Sequence, residues 1–439
     1  MKTKLISTLL VISLLFVGVA STGTAQEKTE IDFWYALSGS IAETTVELVE
    51  KFNDSHADIH VNAVQKGSYT QALTSAVAAY RSGNPPSMVQ VYDTGTQTML
   101  DSGVIYPVWK LIDKFDLNID TKSFITPIRA NYEIDGKLSS MPFNASSPIM
   151  YYNKDAFKEA GLDPNNPPRT FEEVEEMGRQ LIENSEVKYA LTTGWNPWVL
   201  IENMHTWHDQ PLTNNRNGFA GRATEYYVNG PFSVEIFETL RNWQKKDIYT
   251  YQGRKGDPNP AFLGGDVAMV ITSTGYLSGF LESSNFELGT TYMPHMKGYP
   301  KGKPEIGGGT IWAFKGQPEE ELKATGEFFE FLSQPESQVY WHKNTGYFPA
   351  SNAATRELLD SGFFADHPHY LTAFMQMITG VTTPRNKGVR LGNYASIKRL
   401  LRNKIEAVFA GQGTPQEVLD KAAKQVNESL ADYTEGLEK

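Results

Sequence analysis

Three apolar runs, Ile31 to Leu37, Ile59 to Val64 and Ser87 to Tyr92, alternate with two stretches of helical periodicity, and this order constrains the fold more than any other feature of the chain. Ser40-Ile41-Ala42-Glu43 has the form of a capping box, after which Ile41, Leu48, Val49 and Phe52 share one helical face. Ser68 is placed to cap a helix through Arg81, which Gly83 and Pro85-Pro86 stop; Thr94-Gly95-Thr96 opens another. A βαβαβ order demands crossover connections, so it predicts an α/β fold with a mostly parallel sheet and helices on both faces. Ligands on such sheets sit outside the carboxyl ends of strands, near helix N-termini. Tyr69 and Asp93 both occupy positions of that kind.

The stretch Leu138 to Phe157, LSSMPFNASSPIMYYNKDAF, reads as a crossing between two lobes. Pro142 fixes its own φ and holds Met141 extended; Asn144 to Ser147 are small and polar; Pro148 to Tyr152 form a buried strand turned into a helix by Asn153-Lys154-Asp155. Binding sites favour such boundaries. Further along, Thr170-Phe171-Glu172-Glu173 caps a helix to about Ile182, and Tyr189 to Thr193 is strand-like and leads into Gly194-Trp195-Asn196-Pro197-Trp198. Asp266 to Thr272 is a buried strand ending at Ser273, and Ile306 to Phe314 is a strand that begins with three glycines. Glu319 to Ser333 reads as a helix and Trp341 to Ser351 as a loop carrying Tyr347-Phe348, while Thr414-Pro415-Gln416-Glu417 caps the last helix.

Composition narrows the function. The chain has no cysteine, which removes disulfides, thiolate chemistry and Cys-zinc sites. Its net charge of −11 suits neither nucleic acid nor an anionic membrane. Lys2 and Lys4 before the apolar run Leu5 to Ala20, with Gly23-Thr24-Ala25 after it, predict a cleaved signal peptide over residues 1–25 and a soluble periplasmic protein. No GxSxG elbow and no P-loop occur, and no cofactor is expected. Glu202, His205 and His208 are spaced three apart and could chelate a metal, but without HExxH spacing or a further ligand they read as an ordinary helix face. From His367 to Ile405 there is no Asp or Glu, against Arg385, Lys387, Arg390, Lys398, Arg399, Arg402 and Lys404. Arg402 and Lys404 read as a solvated helix face, while one or two of the other cations can face a cleft and hold an anion such as a phosphate. Gly307-Gly308-Gly309 fits a bulge or a close approach of backbone N–H groups to an anion equally well. Trp195, Trp198, Tyr347 and Phe348, in loops, suit the walls of a polyol site.

The crossing, with Pro167-Pro168-Arg169-Thr170-Phe171-Glu172-Glu173 behind it, resembles the extracellular solute-binding proteins that feed carbohydrate-type ABC importers. KGSYTQAL, QVYDTGTQTM, GWNPW, IGGGTIW, WHKNTGYFPAS and KGVRLGN, in that order over almost the whole chain, resemble a branch of that family that takes glycerol phosphates. The resemblance implies the hinge-linked two-lobe periplasmic binding protein fold of type II, with residues 26–140 and 272–335 in one lobe and 141–271 and 336–439 in the other. It implies a non-enzymatic monomer whose ligand is sn-glycerol-3-phosphate or a glycerophosphodiester, passed to two membrane permease subunits served by an ATPase. Its ligand contacts fall here on Tyr69, Ser146, Ser273, Gly308 and Tyr347, with Trp195 and Trp198 as the aromatic wall. Two positions depart from the branch: Asp93 stands for a glutamate, leaving room for a diester such as glycerophosphocholine, and Lys398 stands for an arginine, with Arg399 adjacent. The implied division of labour gives the phosphate to Lys398 and neutral donors and the glycerol hydroxyls to Asp93. A neutral oligosaccharide ligand and a secreted hydrolase of glycerophosphodiesters or glycans stay open as alternatives.

Overall fold

The computed structural model describes residues 28–438; the expected signal peptide lies outside them. The strands in chain order are β1 (Thr29–Tyr35), β2 (Ile59–Gln65), β3 (Met88–Tyr92), β4 (Ile105–Tyr106), β5 (Glu133–Ile134), β6 (Lys137–Leu138), β7 (Met141–Ser146), β8 (Pro148–Asn153), β9 (Tyr189–Thr193), β10 (Tyr249–Thr250), β11 (Val267–Ser273), β12 (Leu288–Thr291) and β13 (Gly307–Phe314). They form two main sheets. The first has the order β2-β1-β3-β13-β4, with β7 also on β13; the second has the order β10-β9-β11-β8-β12. β5 and β6 make a separate small hairpin.

Within each sheet the strands linked by helices pair in parallel, as β1 does with β2 and β3, and β9 with β10 and β11. The returning strands β13 and β8 enter antiparallel. The sheets are therefore mixed, with a smaller parallel share than the opening βαβαβ implies. β1 alternates, burying Ile31, Phe33 and Tyr35, whereas β8 and β11 are buried at every position, as strands covered by helices on both faces must be.

Local chemistry sets the elements. The Ser68 box forms with Gln71, the Thr170 box with Glu173 and the Thr414 box with Glu417. The Ser40 box does not: Gly39, at φ 60°, is the cap, and Ser40 lies inside the helix Ser40–Ser55. Asn144 to Ser147 is more regular than its polar composition suggests, because β7 finds a partner in β13. Trp341 belongs to the helix Pro335–Thr345, so the expected loop begins only at Gly346.

Sheet membership sets where the chain crosses. β7 lies in the first sheet and β8, two residues later, in the second; the return falls between β12 and β13. β11 and β12 thus lie in the second sheet and β7 in the first. The helices Glu319–Ser333 and Pro335–Thr345 bring Phe328, Phe329 and Trp341 to the core around Phe33, while Tyr394–Phe409 and Pro415–Glu438 pack Ile397, Leu401 and Leu419 around Trp243 and Phe237.

Candidate functional site

Register places the polar groups. β7 pairs with β13 so that Ser146 faces Gly307, and β11 pairs with β8 so that Ser273 faces Pro148. The single residue between these strands, Ser147, accepts a hydrogen bond from Thr274 N (3.0 Å). Ser146, Ser273 and the glycine run therefore meet at the crossing, where both sheets end. Asp93 joins them from the carboxyl end of β3, and Trp195 and Trp198 from the segment after β9. All nine residues expected at the site line one cavity: Tyr69, Asp93, Ser146, Trp195, Trp198, Ser273, Gly308, Tyr347 and Lys398. Its volume is about 70 Å³, and it opens onto an outer chamber of about 430 Å³ that shares Tyr69, Trp195, Lys255, Ser273 and Tyr347 with it.

The walls are held from behind. Tyr69 stacks on Tyr92 and its hydroxyl accepts from Asn144 Nδ2 (2.7 Å); Asn144 Oδ1 accepts from Gln90 Nε2 (2.7 Å), and Gln90 Oε1 accepts from Ala36 N (2.9 Å). Tyr347 stacks on Trp341, and its carbonyl accepts from His342 Nδ1 (2.7 Å). Gly308 has φ +103°, and a Cβ there would lie 1.7 Å from the Asn144 carbonyl oxygen. A Cβ on Gly307 would meet the Trp198 ring. The β-bulge at Gly309/Thr310 follows at once, so the run serves both as a bulge and as cavity wall. Trp198 sits in a π-helical turn, Pro197–Asn203, and its buried Nε1 has no hydrogen-bond acceptor. Trp195 has a left-handed backbone (φ 52°), and its indole donates to the Tyr276 hydroxyl (3.0 Å).

Lys398 comes from the helix Tyr394–Phe409, but its charge is already engaged. Its ammonium lies 2.9 Å from Glu202 and 3.5 Å from Asp93. Carboxylate oxygens of Asp93, Glu202 and Glu305 lie within 4.8 Å of one another, and the lysine supplies the positive charge such a group would otherwise draw from a metal. Burial raises Glu305 well above the usual carboxylate range, and Glu202 and Asp93 push it further; Glu202 is also raised by burial, against the pull of Lys398. Burial alone would lower Lys398, but Asp93 and Glu202 outweigh it and hold the ammonium above its ordinary value.

Glu202 is thus not part of an ordinary helix face. It is fully buried, and the π-turn aims it at Lys398. His205 and His208 are buried as well. His205 bonds Ile201 O and Ser233 Oγ; His208 bonds Met204 O through Nδ1 and accepts from Met296 N through Nε2. Burial pulls them to about 4 and about 3, so both are neutral structural groups. Arg402 is a second correction: it lines the cavity instead of facing solvent, one turn beyond Lys398 on the same face. The sequence held that signal in the Lys398/Arg402 spacing. Gly307, from the glycine run, also lines the cavity, as do Lys255, Tyr92 and Pro197, which no local motif marks. Arg399 is exposed on a different face, bordering a surface groove with Ser396 and Asn403.

Comparison with known proteins supplies the family. Residues 47–372 match the family described as bacterial extracellular solute-binding protein. The sn-glycerol-3-phosphate-binding periplasmic protein UgpB of Pectobacterium atrosepticum is 37% identical over 412 residues, 92% of each chain. The UgpB of Escherichia coli K12 is 35% identical, over 95% of this chain and 96% of its own. Among solved structures, UgpB from Mycobacterium tuberculosis in complex with glycerophosphocholine superposes with a TM-score of 0.76 at 21% identity, covering 92% of this chain and 99% of that one. The GacH receptor of Streptomyces glaucescens, solved with acarbose, gives 0.78 at 16% identity over the same shares. These likenesses place the fold among two-lobe solute receptors. The chain belongs to the bacterial extracellular solute-binding proteins.

Proposed function

We propose that this chain is the periplasmic receptor of an ABC importer and captures sn-glycerol-3-phosphate, or a diester of it such as glycerophosphocholine, without turning it over. The observation that carries the reading is the composition of the one cavity where both sheets end. Hydroxyls of Ser146, Ser273 and Tyr347, the Gly308 backbone and the unpartnered Trp198 indole N–H offer donors to phosphate oxygens, Asp93 offers an acceptor to glycerol hydroxyls, and Trp195 covers the carbon skeleton. The names of the relatives support the ligand class.

The two lobes are taken as the two sheets with their helices, joined by crossings at Ser147, between Thr291 and Gly307, and between Thr345 and Tyr394. A ligand touching both lobes favours their closed arrangement by its differential affinity, and the permease pair, served by its ATPase, reads that shape on a monomeric receptor. The energetics suffice. A micromolar Kd needs about −8 kcal/mol, and a ligand of about ten heavy atoms then supplies nearly −1 kcal/mol per atom, within the ceiling of about −1.5.

The test is calorimetric titration of the purified protein with sn-glycerol-3-phosphate, glycerophosphocholine and maltotriose. Micromolar binding of either phosphate compound, with none of maltotriose and no released product, is expected. Heat from maltotriose alone would overturn the reading in favour of a neutral sugar.

A further inference from the structure

Three cations of the basic stretch 385–404 are already engaged. Arg385 pairs with Asp209; Arg390 donates to the carbonyls of Ala130, Asn131 and Glu133; Lys398 is held by Glu202 and Asp93. Nearby, Arg254 is taken by Glu406. Two cations that line the cavity differ. Among the described residues, neither Arg402 nor Lys255 has a side-chain hydrogen bond or a carboxylate within ion-pair distance.

We propose that Arg402 and Lys255 form the seat of the ligand's anionic group, and that Lys398, neutralised by Glu202 and Asp93, is instead a positioning residue for the polyol side of the cavity. The inference rests on the glycerol phosphate reading and deepens it.

Three features support the assignment. The first is charge. Arg402 and Lys255 oppose each other electrostatically, and after burial this repulsion is the next influence lowering Lys255; Asp257 and Glu406 offset it only in part, while Arg254 and Arg399 add to it around Arg402. A phosphate monoester carries about −1.5 to −2 charges near neutral pH and relieves that repulsion. The second is backbone. Lys255 is a non-glycine residue at φ +51°, between Gly253 and Gly256, and its carbonyl accepts from Trp195 N (2.8 Å). A left-handed conformation is uncommon for lysine and clusters at ligand clamps. It ties the cation to the aromatic wall. The third is space. The inner cavity, about 70 Å³, has room for about five water-sized groups, close to what glycerol fills. Lys255 borders both this cavity and the outer chamber, so an anion at Arg402 and Lys255 would lie at their junction. A second alcohol esterified to the phosphate then has the outer chamber to enter.

Calorimetry on Arg402→Met, Lys255→Met and the double variant, with sn-glycerol-3-phosphate and glycerophosphocholine as probes, tests this. Each single variant is expected to weaken the monoester roughly 10- to 100-fold, the worth of a charge-assisted contact, and the double variant more. The diester, with about one negative charge, loses less, so the monoester-to-diester affinity ratio shrinks, and the salt dependence of monoester binding flattens. Neither side chain is paired and the two repel each other, so urea midpoints stay at or above the wild-type value and a folding defect does not intervene. If wild type binds the monoester and the double variant stays within about twofold of it with an unchanged salt slope, the seat lies elsewhere and the receptor function stands. If wild type binds neither phosphate compound, the receptor reading and the seat both fall.

Discussion

Replacing Lys398 by methionine separates its structural role from any role in binding. Glu202 is completely buried, and Lys398 is its ion-pair partner at 2.9 Å. Removing one member of a buried pair costs about 3–5 kcal/mol, mostly from the uncompensated charge left behind. In the variant Glu202 escapes that cost by staying protonated. Its folded pKa is already raised by burial and rises further once the ammonium is gone, while its unfolded value stays near 4.3. Between the two values the unfolded chain has lost the proton and the folded one keeps it, so stability falls as pH rises, by about 1.4 kcal/mol per pH unit. The deficit of Lys398→Met relative to wild type is therefore smallest at low pH, where Glu202 keeps its proton in both proteins, and grows as pH rises past the wild-type Glu202 value, toward the cost of a broken buried pair, about 3 kcal/mol. Urea unfolding at a series of pH values measures it. Lys398→Met/Glu202→Gln removes the charge as well and is expected to recover most of the loss at pH 7. A deficit that is the same at pH 4.5 and pH 8, together with a double variant no better than the single, would refute the idea that Lys398 neutralises Glu202.

Three further outcomes follow from the same geometry. Gly308→Ala places a Cβ 1.7 Å from the Asn144 carbonyl at a left-handed φ, so it should cost about 3 kcal/mol in urea unfolding and abolish ligand heat. Trp198→Phe removes a buried donor that has no partner, so the ligand-free protein should be as stable as wild type or up to about 1 kcal/mol more stable, while affinity falls about tenfold; equal losses in both would contradict an N–H aimed at the ligand. His205, His208 and His342 are buried and lowered to about 4, 3 and 4, so each contributes stability that is full above about pH 6.5 and is lost as pH falls toward its folded value. Acid titration should show that decline steepening below pH 6, and His342→Gln should flatten it, unless the histidines are charged in the folded state.

What was legible in the sequence is what depends on neighbours along the chain. The Ser68, Thr170 and Thr414 boxes formed because their partners lie three residues away. The buried runs at Pro148 and Val267 became strands because they are short, rich in β-branched and aromatic residues and bounded by turn residues, which suits a sheet interior. Every expected site residue reached the cavity, since motif order had fixed their places. The misses concern long-range partners. Nothing local says that Glu202, in a π-turn, would meet Lys398 almost two hundred residues on, or that β7 would pair with β13 and shift the crossing to Ser147. The place of Arg402 is hidden because a helix face shows only its periodicity in sequence, and periodicity does not reveal whether that face looks at water or at a cavity.

The charge pattern also accounts for how a chain of net charge −11 would accept the proposed anion. At physiological ionic strength charges beyond about 8 Å are largely screened, so the total matters less than what stands around the cavity. Asp93, Glu202 and Glu305 stand there, and without Lys398 they would repel a phosphate. The lysine offsets part of that repulsion and has no charge to spare for the ligand, which leaves the attraction to Arg402 and Lys255. On this account the change from arginine to lysine at residue 398 is tolerable: a compact ammonium needs only to neutralise carboxylates and has no call for the bidentate fork that phosphate recognition favours. Restoring the fork with Lys398→Arg should then leave monoester affinity within about threefold of wild type, less than 1 kcal/mol. A gain of tenfold or more on calorimetric titration would place the phosphate at residue 398 and return Arg402 and Lys255 to the rim.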